Sequence, residues 1–116
     1  MIFIIDDDEI MVECVARMCG EHEVRTFANG IEAMQAISDG ELPDLIFLDI
    51  MLDGPDGFTF LNEMISYEDT RKIPIVVVTS LSIGLGDLVS YNVAGLLKKD
   101  EMRPQEVKEY VEKFAK

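Results

Sequence analysis

Residues 73–79 read IPIVVVT, and every residue of this stretch except Pro74 is β-branched. Because β-branched residues are enriched in strands, the stretch gives the clearest strand prediction in the chain. Residues 1–5 form another continuous apolar run, which is typical of a strand that is buried on both faces. Such strands occur in parallel sheets whose two faces are covered by helices.

Outward from these two runs, strand patterns alternate with helical patterns along the chain. Further strands are predicted at residues 24–27, from about Asp44 within LPDLIFLDI, and within AGLLK at residues 94–98. Five strands that alternate with five helical segments require crossover connections between strands running in the same direction. The sequence therefore predicts an α/β fold with a five-stranded parallel sheet between two layers of helices.

Apolar residues at helical spacing predict which face of each helix packs against the sheet. For the first two helices these residues are Ile10, Met11, Cys14, Val15 and Met18, and then Ile31, Met34 and Ile37 after a cap at Asn29. Cys14 and Cys19 are five residues apart on one helical pattern, which places them on different faces and predicts no disulfide between them. Both cysteines are predicted to be buried small hydrophobic residues.

Composition and charge limit the classes of function. The chain has 116 residues, of which 48% are hydrophobic, as expected for one domain over residues 1–116. Its formal net charge of −13 repels nucleic acid phosphates and anionic membranes. No stretch approaches the roughly 20 apolar residues of a membrane span, and the apolar start lacks the basic flank of a signal peptide. The sequence predicts a cytoplasmic protein that binds neither nucleic acid nor a membrane directly.

Polar side chains that can bind ligands or react follow four of the five predicted strands. They are Asp6, Asp7 and Asp8 after the first strand, Asp49 after the third, Thr79 and Ser80 at the end of the fourth, and Lys98 and Lys99 at the end of the fifth. Ligands of open parallel sheets bind in the crevice outside the carboxyl ends of the strands. Carboxylates, a hydroxyl and an ammonium are therefore expected to converge at one edge of the sheet.

This set of groups predicts a metal-dependent phosphoryl-acceptor site. Clustered carboxylates without imidazole or thiolate neighbours favour a hard divalent cation, Mg²⁺ or Mn²⁺. Asp49 stands on a different strand from the other acids, and a carboxylate is a competent nucleophile toward an activated phosphoryl group. A metal ion and a lysine can neutralise phosphoryl oxygens, and a hydroxyl can donate a hydrogen bond to one.

Four motifs together resemble the receiver domain of bacterial two-component response regulators, and the resemblance covers essentially the whole chain. The motifs are IIDDDE at residues 4–9, LIFLDIMLDGPDGF at 45–58, IPIVVVTS at 73–80 and AGLLKKD at 94–100. The resemblance implies a flavodoxin-like (βα)5 three-layer sandwich. It also implies that Asp49 accepts a phosphoryl group from a sensor histidine kinase or a histidine phosphotransfer protein.

The resemblance further assigns a role to each candidate residue. Asp7 and Asp49 would ligate the metal directly, Asp6 would act through water, and the backbone carbonyl of Met51 would be a further ligand. Thr79 would be the switch hydroxyl, Lys99 would contact the phosphoryl group, and Ser80 would lie beside it. Two alternatives of register stay open, because Asp7 and Asp8 also form an acid pair and Lys98 competes with Lys99.

The implied function is a two-state signalling element, of the chemotaxis-type or phosphorelay single-domain kind, that controls a downstream protein target or a separate output domain. Such a domain catalyses only its own phosphorylation and slow dephosphorylation, so an enzyme with turnover is not expected. An aspartyl phosphatase is not favoured, because such enzymes generally have a second acid two residues after the nucleophile, and that residue here is Met51. The alternative is a phosphorylation-independent pseudo-receiver adaptor.

Two departures from the family pattern bear on switching. Leu96 stands where the family usually has Tyr or Phe, so the usual aromatic rotamer switch is missing. The region between the fourth and fifth strands contains Gly84 and Gly86, each of which costs about 1 kcal/mol relative to Ala inside a helix. A short fourth helix is therefore predicted.

Overall fold

The computed structural model describes residues 1–50, 57–80 and 83–115. These residues form five strands: β1 (Ile2–Ile5), β2 (Val24–Phe27), β3 (Leu45–Leu48), β4 (Ile75–Thr79) and β5 (Gly95–Lys98). All neighbouring strands pair in parallel, in the order β2-β1-β3-β4-β5. The predicted five-stranded parallel sheet is confirmed, with the acidic ends of β1 and β3 side by side.

Helices cover both faces of the sheet and complete the flavodoxin-like three-layer sandwich. They are α1 (Glu9–Met18), α2 (Gly30–Ser38), α3 (Gly57–Ser66), a 3₁₀ helix (Leu85–Tyr91) and α4 (Pro104–Phe114). Side chains alternate across a strand, so Phe3 and Ile5 pack with α2, α3 and the 3₁₀ helix, whereas Ile2 and Ile4 pack with α1 and α4. No helix within the described ranges is long and apolar enough to cross a membrane.

Two helices face the sheet differently from the prediction. In α1, Val15 is buried and Ile10 is 76% exposed. Cys14 is also exposed, so the prediction that both cysteines are buried was wrong for Cys14, while Cys19 is buried and both thiols are free as predicted. At about 100° per residue, Cys14 and Ile10 lie roughly 100° and 140° away from Val15, outside the stripe that one sheet face covers.

In α2, the predicted inward position of Ile37 is confirmed, but alanines and not Ile31 complete the face that packs on the sheet. Ala33 and Ala36 are buried together with Ile37, whereas Ile31 is 60% exposed. The predicted cap is present, because the Asn29 side chain accepts a hydrogen bond of 2.9 Å from the Glu32 N–H. Alanines let the helix lie close to the sheet, and this turns Ile31 toward the solvent.

The predicted short fourth helix is a single 3₁₀ segment of seven residues that begins after Gly84. The Gly84 N–H donates a 2.9 Å hydrogen bond to the Asp87 carboxylate, and Leu88 anchors the segment in the core. At the other end Asn92 adopts a left-handed conformation (φ 58°), and its side-chain amide donates to the Arg71 carbonyl at 3.1 Å. The segment is thus held by hydrogen bonds at both ends.

A close backbone approach fixes the start of α3 next to the end of β3. A Cβ atom on Gly57 would lie only 2.3 Å from the Cα atom of Ile50. The Gly57 N–H also donates to the Ile50 carbonyl at 3.2 Å. Glycine at this position therefore lets α3 begin directly beside the strand end that carries Asp49.

Candidate functional site

Backbone hydrogen bonds hold the residues that follow three of the strands. The Asp6 N–H donates to the Phe27 carbonyl at 3.0 Å, and the Asp49 N–H donates to the Ile5 carbonyl at 2.9 Å. The Lys99 N–H likewise donates to the Thr79 carbonyl at 2.9 Å. Asp6, Asp49 and Lys99 are therefore fixed relative to the sheet by its own hydrogen-bonding pattern, one residue past the strand ends.

Three carboxylates meet at this edge of the sheet. Oxygen atoms of Asp6, Asp7 and Asp49 all lie within 4.8 Å of one another. Asp6 and Asp49 are each only 5% exposed, whereas Asp7 is exposed. A cavity of about 390 Å³ borders Asp6 and Asp7 and continues between Thr26 and Glu9. The cluster therefore has a buried floor and an open side that solvent or a ligand can reach.

One ammonium group lies between the two buried carboxylates. The Lys99 Nζ atom is 3.0 Å from Asp6 Oδ2 and 3.1 Å from Asp49 Oδ2, and the lysine side chain is only 15% exposed. In their ionised forms, these three carboxylates and this ammonium carry a net charge of −2. A charge that is removed from water is costly unless it is paired, so the arrangement favours a further cation.

The environment shifts the pKa values of two of these groups. Burial raises the pKa of the Asp6 carboxyl, and the nearby charge of Asp49 raises it further, whereas hydrogen bonds from the Asp8 N–H and from Lys99 oppose the rise without cancelling it. Burial alone lowers the pKa of Lys99, but its hydrogen bonds and its attraction to Asp6 and Asp49 outweigh burial and hold that pKa above its usual range. The site therefore disfavours the ionised form of Asp6 and favours the protonated, charged form of Lys99.

The donor set fits a hard divalent cation. Three carboxylates offer oxygen ligands from two strand ends, and one of them, Asp7, is exposed. Mg²⁺ is typically bound by one or two carboxylates while it keeps several waters, which suits a cluster with an open side. Met51, the source of the predicted carbonyl ligand, lies outside the described residues.

Asp8 takes a different role from the other acids. Its side chain caps α1, where Oδ1 accepts hydrogen bonds from the N–H groups of Ile10 at 3.1 Å and Met11 at 3.3 Å. Its own N–H donates to Asp6 Oδ1 at 2.9 Å. Of the two acid pairs left open by the sequence, the structure brings Asp6 and Asp7 to Asp49. The contact of the Asp8 N–H with Asp6 was not predicted, although the Asp8 residue type before a helical pattern indicates the cap that positions this N–H.

The remaining predicted residues flank the cluster. Thr79 is fully buried as the last residue of β4, and Ser80 follows it at the surface. Lys98 ends β5 beside Thr79, but it is Lys99 whose ammonium contacts Asp6 and Asp49. Leu96 is partly buried and packs against the core cluster shared with α2 and α3. The structure therefore gathers the predicted residues that it describes at one end of the sheet.

The pKa shift of Asp6 predicts an inverted dependence of stability on pH. Because burial raises its pKa in the folded state, the folded protein pays a free-energy penalty when Asp6 ionises above that pKa, and the penalty vanishes where both states are protonated. In the absence of divalent cations, Asp6→Asn should raise the free energy of unfolding at about pH 7. The gain should shrink toward zero as the pH falls below about 4.

Urea unfolding of both proteins with a chelator at the two pH values measures this difference. Asp69→Asn, a change of the same kind at an exposed residue of the loop before β4, serves as the control and should shift stability by less than about 0.5 kcal/mol. A loss of stability in Asp6→Asn at neutral pH would show that pairing with Lys99 outweighs the burial of Asp6.

Comparison with known proteins adds independent information. The family model for the response regulator receiver domain matches residues 2–112. Response regulator PleD from Caulobacter vibrioides is 39% identical over 90 residues, which cover 76% of this chain but only 19% of PleD. The chain therefore spans about a fifth of that relative's length.

Solved structures show the same fold. The receiver domain of NtrX from Brucella abortus superimposes with a TM-score of 0.82 at 26% identity, over 97% of this chain and 96% of that one. The phosphorylated cyanobacterial phytochrome response regulator RcpA gives a TM-score of 0.77 at 25% identity, over 97% of this chain and 88% of its own.

Proposed function

Because the chain belongs to the response regulator receiver domain family, we propose that Asp49 accepts a phosphoryl group from a phosphohistidine. The donor is a sensor histidine kinase or a histidine phosphotransfer protein. The observation that supports this most directly is the contact of the Lys99 ammonium with both Asp6 and Asp49 inside a cluster of three carboxylates. The similarity to RcpA, a response regulator solved in a phosphorylated form, points the same way.

The proposed transfer is an in-line displacement at phosphorus. A carboxylate oxygen of Asp49 attacks, the new oxygen–phosphorus bond forms, and the nitrogen–phosphorus bond of the phosphohistidine breaks. The electron pair of the broken bond stays on the imidazole nitrogen, and a proton on the other ring nitrogen makes the leaving group a neutral imidazole. Negative charge spreads over the equatorial phosphoryl oxygens during this step, so catalysis depends on positioned positive charge and hydrogen-bond donors.

Residues of this chain are proposed to supply both the positive charge and the hydrogen-bond donors. The Lys99 ammonium, 3.1 Å from Asp49 Oδ2, is placed to neutralise a phosphoryl oxygen on that carboxylate. Thr79 ends the neighbouring strand β4 and Ser80 follows it, and both are proposed to donate hydrogen bonds to the phosphoryl group. Backbone hydrogen bonds one residue past the strand ends fix the main chain of Asp49 and of Lys99, so the rearrangement that transfer requires is confined to side chains.

Asp6, Asp7 and Asp49 are proposed to hold Mg²⁺, with Mn²⁺ as a substitute and the Met51 carbonyl as a further ligand. Asp7 and Asp49 would be direct ligands, and Asp6 would act through water. When bound, the ion supplies additional positive charge to the phosphoryl oxygens. Oxygen atoms of the three carboxylates lie within 4.8 Å of one another, and such a group of oxygen ligands favours a divalent cation.

Phosphorylation is proposed to shift an equilibrium between two conformations, and a partner protein reads the favoured one. The acyl phosphate extends from Asp49 toward Lys99, so this lysine must rearrange its present contacts with Asp6 and Asp49. Lys99 follows β5, and Leu96 on that strand packs against the core shared with α2 and α3. Movement at the end of β5 would therefore reach this layer through a leucine instead of an aromatic rotamer.

Exposure of the purified protein to acetyl phosphate, followed by intact mass measurement, tests this proposal. We expect one phosphoryl adduct in the presence of Mg²⁺, or of Mn²⁺ in its place, and none when a chelator removes the divalent cation. No adduct under any of these conditions would reject the proposal and favour an adaptor that works without phosphorylation.

A further inference from the structure

A second candidate site lies between α2 and α3, apart from the acidic cluster. A groove of about 350 Å³ opens between these helices. Its main lining residues are Gly30, Ile31, Met34, Thr59, Phe60 and Glu63; together they are called the α2–α3 groove below. Its volume falls at the lower end of the range of ligand pockets, roughly 300–1,000 Å³, so it has room for apolar groups of side-chain size.

The groove has an apolar part formed by Ile31, Met34 and Phe60, and its polar lining residues are Gln35, Ser38, Thr59 and Glu63. Ile31 is 60% exposed, and it lies three residues before Met34 on the same side of α2. Phe60, which is only 2% exposed, forms the floor, and α2 packs closely on it at Gly30, where a Cβ atom would lie 3.4 Å from the Phe60 Cβ atom. An exposed isoleucine at the mouth of a concave apolar surface provides an anchor for a partner's apolar side chain.

The charge around the groove has one sign. Each of the two helices has one charged residue, Glu32 in α2 and Glu63 in α3, and neither helix contains Lys, Arg or His. Glu63 lies in the lining itself, and Glu32 is exposed in the first turn of α2. The opposite layer differs, because α1 and α4 contain Arg17, Lys108 and Lys113 among their acids. We therefore expect a partner that docks between α2 and α3 to be basic, so that its charge complements the negative electrostatic potential of the groove.

The shape of the groove favours a helix over a compact ligand. Its lining extends along α2 from Gly30 to Ser38, which at 1.5 Å per residue is a length of about 12 Å. This length matches two turns of a partner helix that presents apolar residues at i and i+4, with basic residues on its flanks. We propose that the α2–α3 groove is the docking site for a basic amphipathic helix of a partner protein.

This surface is separate from the phosphoryl-acceptor site, and the proposal does not depend on phosphorylation of Asp49. The probe is a synthetic helical peptide of about 16 residues with Leu at i, i+4, i+7 and i+11 and Lys on both flanks. Isotope-labelled full chain is titrated with the peptide without phosphodonor, and amide chemical shifts are followed. We expect the largest shifts at Ile31, Met34, Phe60 and Glu63, and an affinity that falls as salt is raised.

Matched variants distinguish binding of the peptide in the α2–α3 groove from attraction to the acidic chain as a whole. Ile31→Gln should weaken peptide binding about tenfold, while Ile10→Gln, at the exposed isoleucine of α1, should change it less than about twofold. Glu63→Lys should weaken binding and flatten its salt dependence, whereas Glu112→Lys on α4 should have a smaller effect on both. All four positions are exposed, so the variants are expected to fold.

Two control peptides complete the test. A peptide with Ser in place of Leu keeps the charge, and one with Glu in place of Lys keeps the apolar face; both should lose binding. The proposal is overturned if the Ser peptide binds as tightly as the probe, if the shifts centre on α1 or α4, or if Ile10→Gln weakens binding as much as Ile31→Gln.

Discussion

Asp49→Asn is expected to abolish phosphoryl uptake from acetyl phosphate in the presence of Mg²⁺. An amide oxygen is a far weaker nucleophile than a carboxylate, and the substitution removes one oxygen ligand from the cluster of Asp6, Asp7 and Asp49. The amide has nearly the same shape, so contacts at the end of β3 are preserved. Intact mass measured at increasing times gives the result, and thermal unfolding with Mg²⁺ verifies that the variant is folded.

Asp8→Asn is the matched control for this experiment. Asp8 is exposed and caps α1 through hydrogen bonds to Ile10 and Met11, and asparagine is an equally good helix cap. This variant should therefore take up the phosphoryl group at close to the rate of the unmodified chain. An adduct on Asp49→Asn would mean that another acid is the acceptor. An equal loss of phosphoryl uptake in both variants would favour the alternative in which Asp7 and Asp8 are the acid pair that binds the metal.

The strand ends explain why so much of the site could be predicted from the sequence. A parallel sheet brings the carboxyl ends of its strands to one edge, so the chain positions of Asp6, Asp49 and Lys99 were enough to predict that they converge. Their order along the sheet then follows from the topology, with β3 between β1 and β4. Between Lys98 and Lys99, which the sequence left open, it is Lys99 that contacts both acids.

Features that depend on helix rotation could not be predicted in the same way. The apolar residues of α1 extend around more than one face, so sequence spacing alone did not distinguish buried Val15 from exposed Ile10 and Cys14. In α2 the deciding residues were Ala33 and Ala36, whose small size weighs little in a hydrophobic pattern but permits close packing on the sheet. The exposure of Ile31, and with it the α2–α3 groove, was therefore visible only in the structure.

Lys99→Met is expected to slow phosphoryl uptake by about 10²–10³-fold, the usual effect of removing one positioned charge or donor from a transition state. The Lys99 ammonium contacts Asp49, and methionine retains the length and apolar stem of lysine without its charge. Rates are measured by intact mass at saturating acetyl phosphate and Mg²⁺.

Lys98→Met is the matched control for this change, because neighbouring strand residues point to opposite faces and a change at Lys98 should alter the rate by less than about threefold. Equal slowing in both lysine variants would reject the assignment of Lys99.

The Lys99→Met variant also distinguishes a catalytic role of this lysine from a structural one. Without Lys99, Asp6 and Asp49 remain buried at 5% exposure with no ammonium between them, so the variant should lose about 3–5 kcal/mol of stability when no divalent cation is present. Because a divalent cation can neutralise the same carboxylates, Mg²⁺ should restore more stability to Lys99→Met than to the unmodified chain. If uptake stays slow at Mg²⁺ concentrations that restore the stability, Lys99 acts on the phosphoryl group itself. If uptake recovers together with stability, the lysine serves only to hold the carboxylates in place.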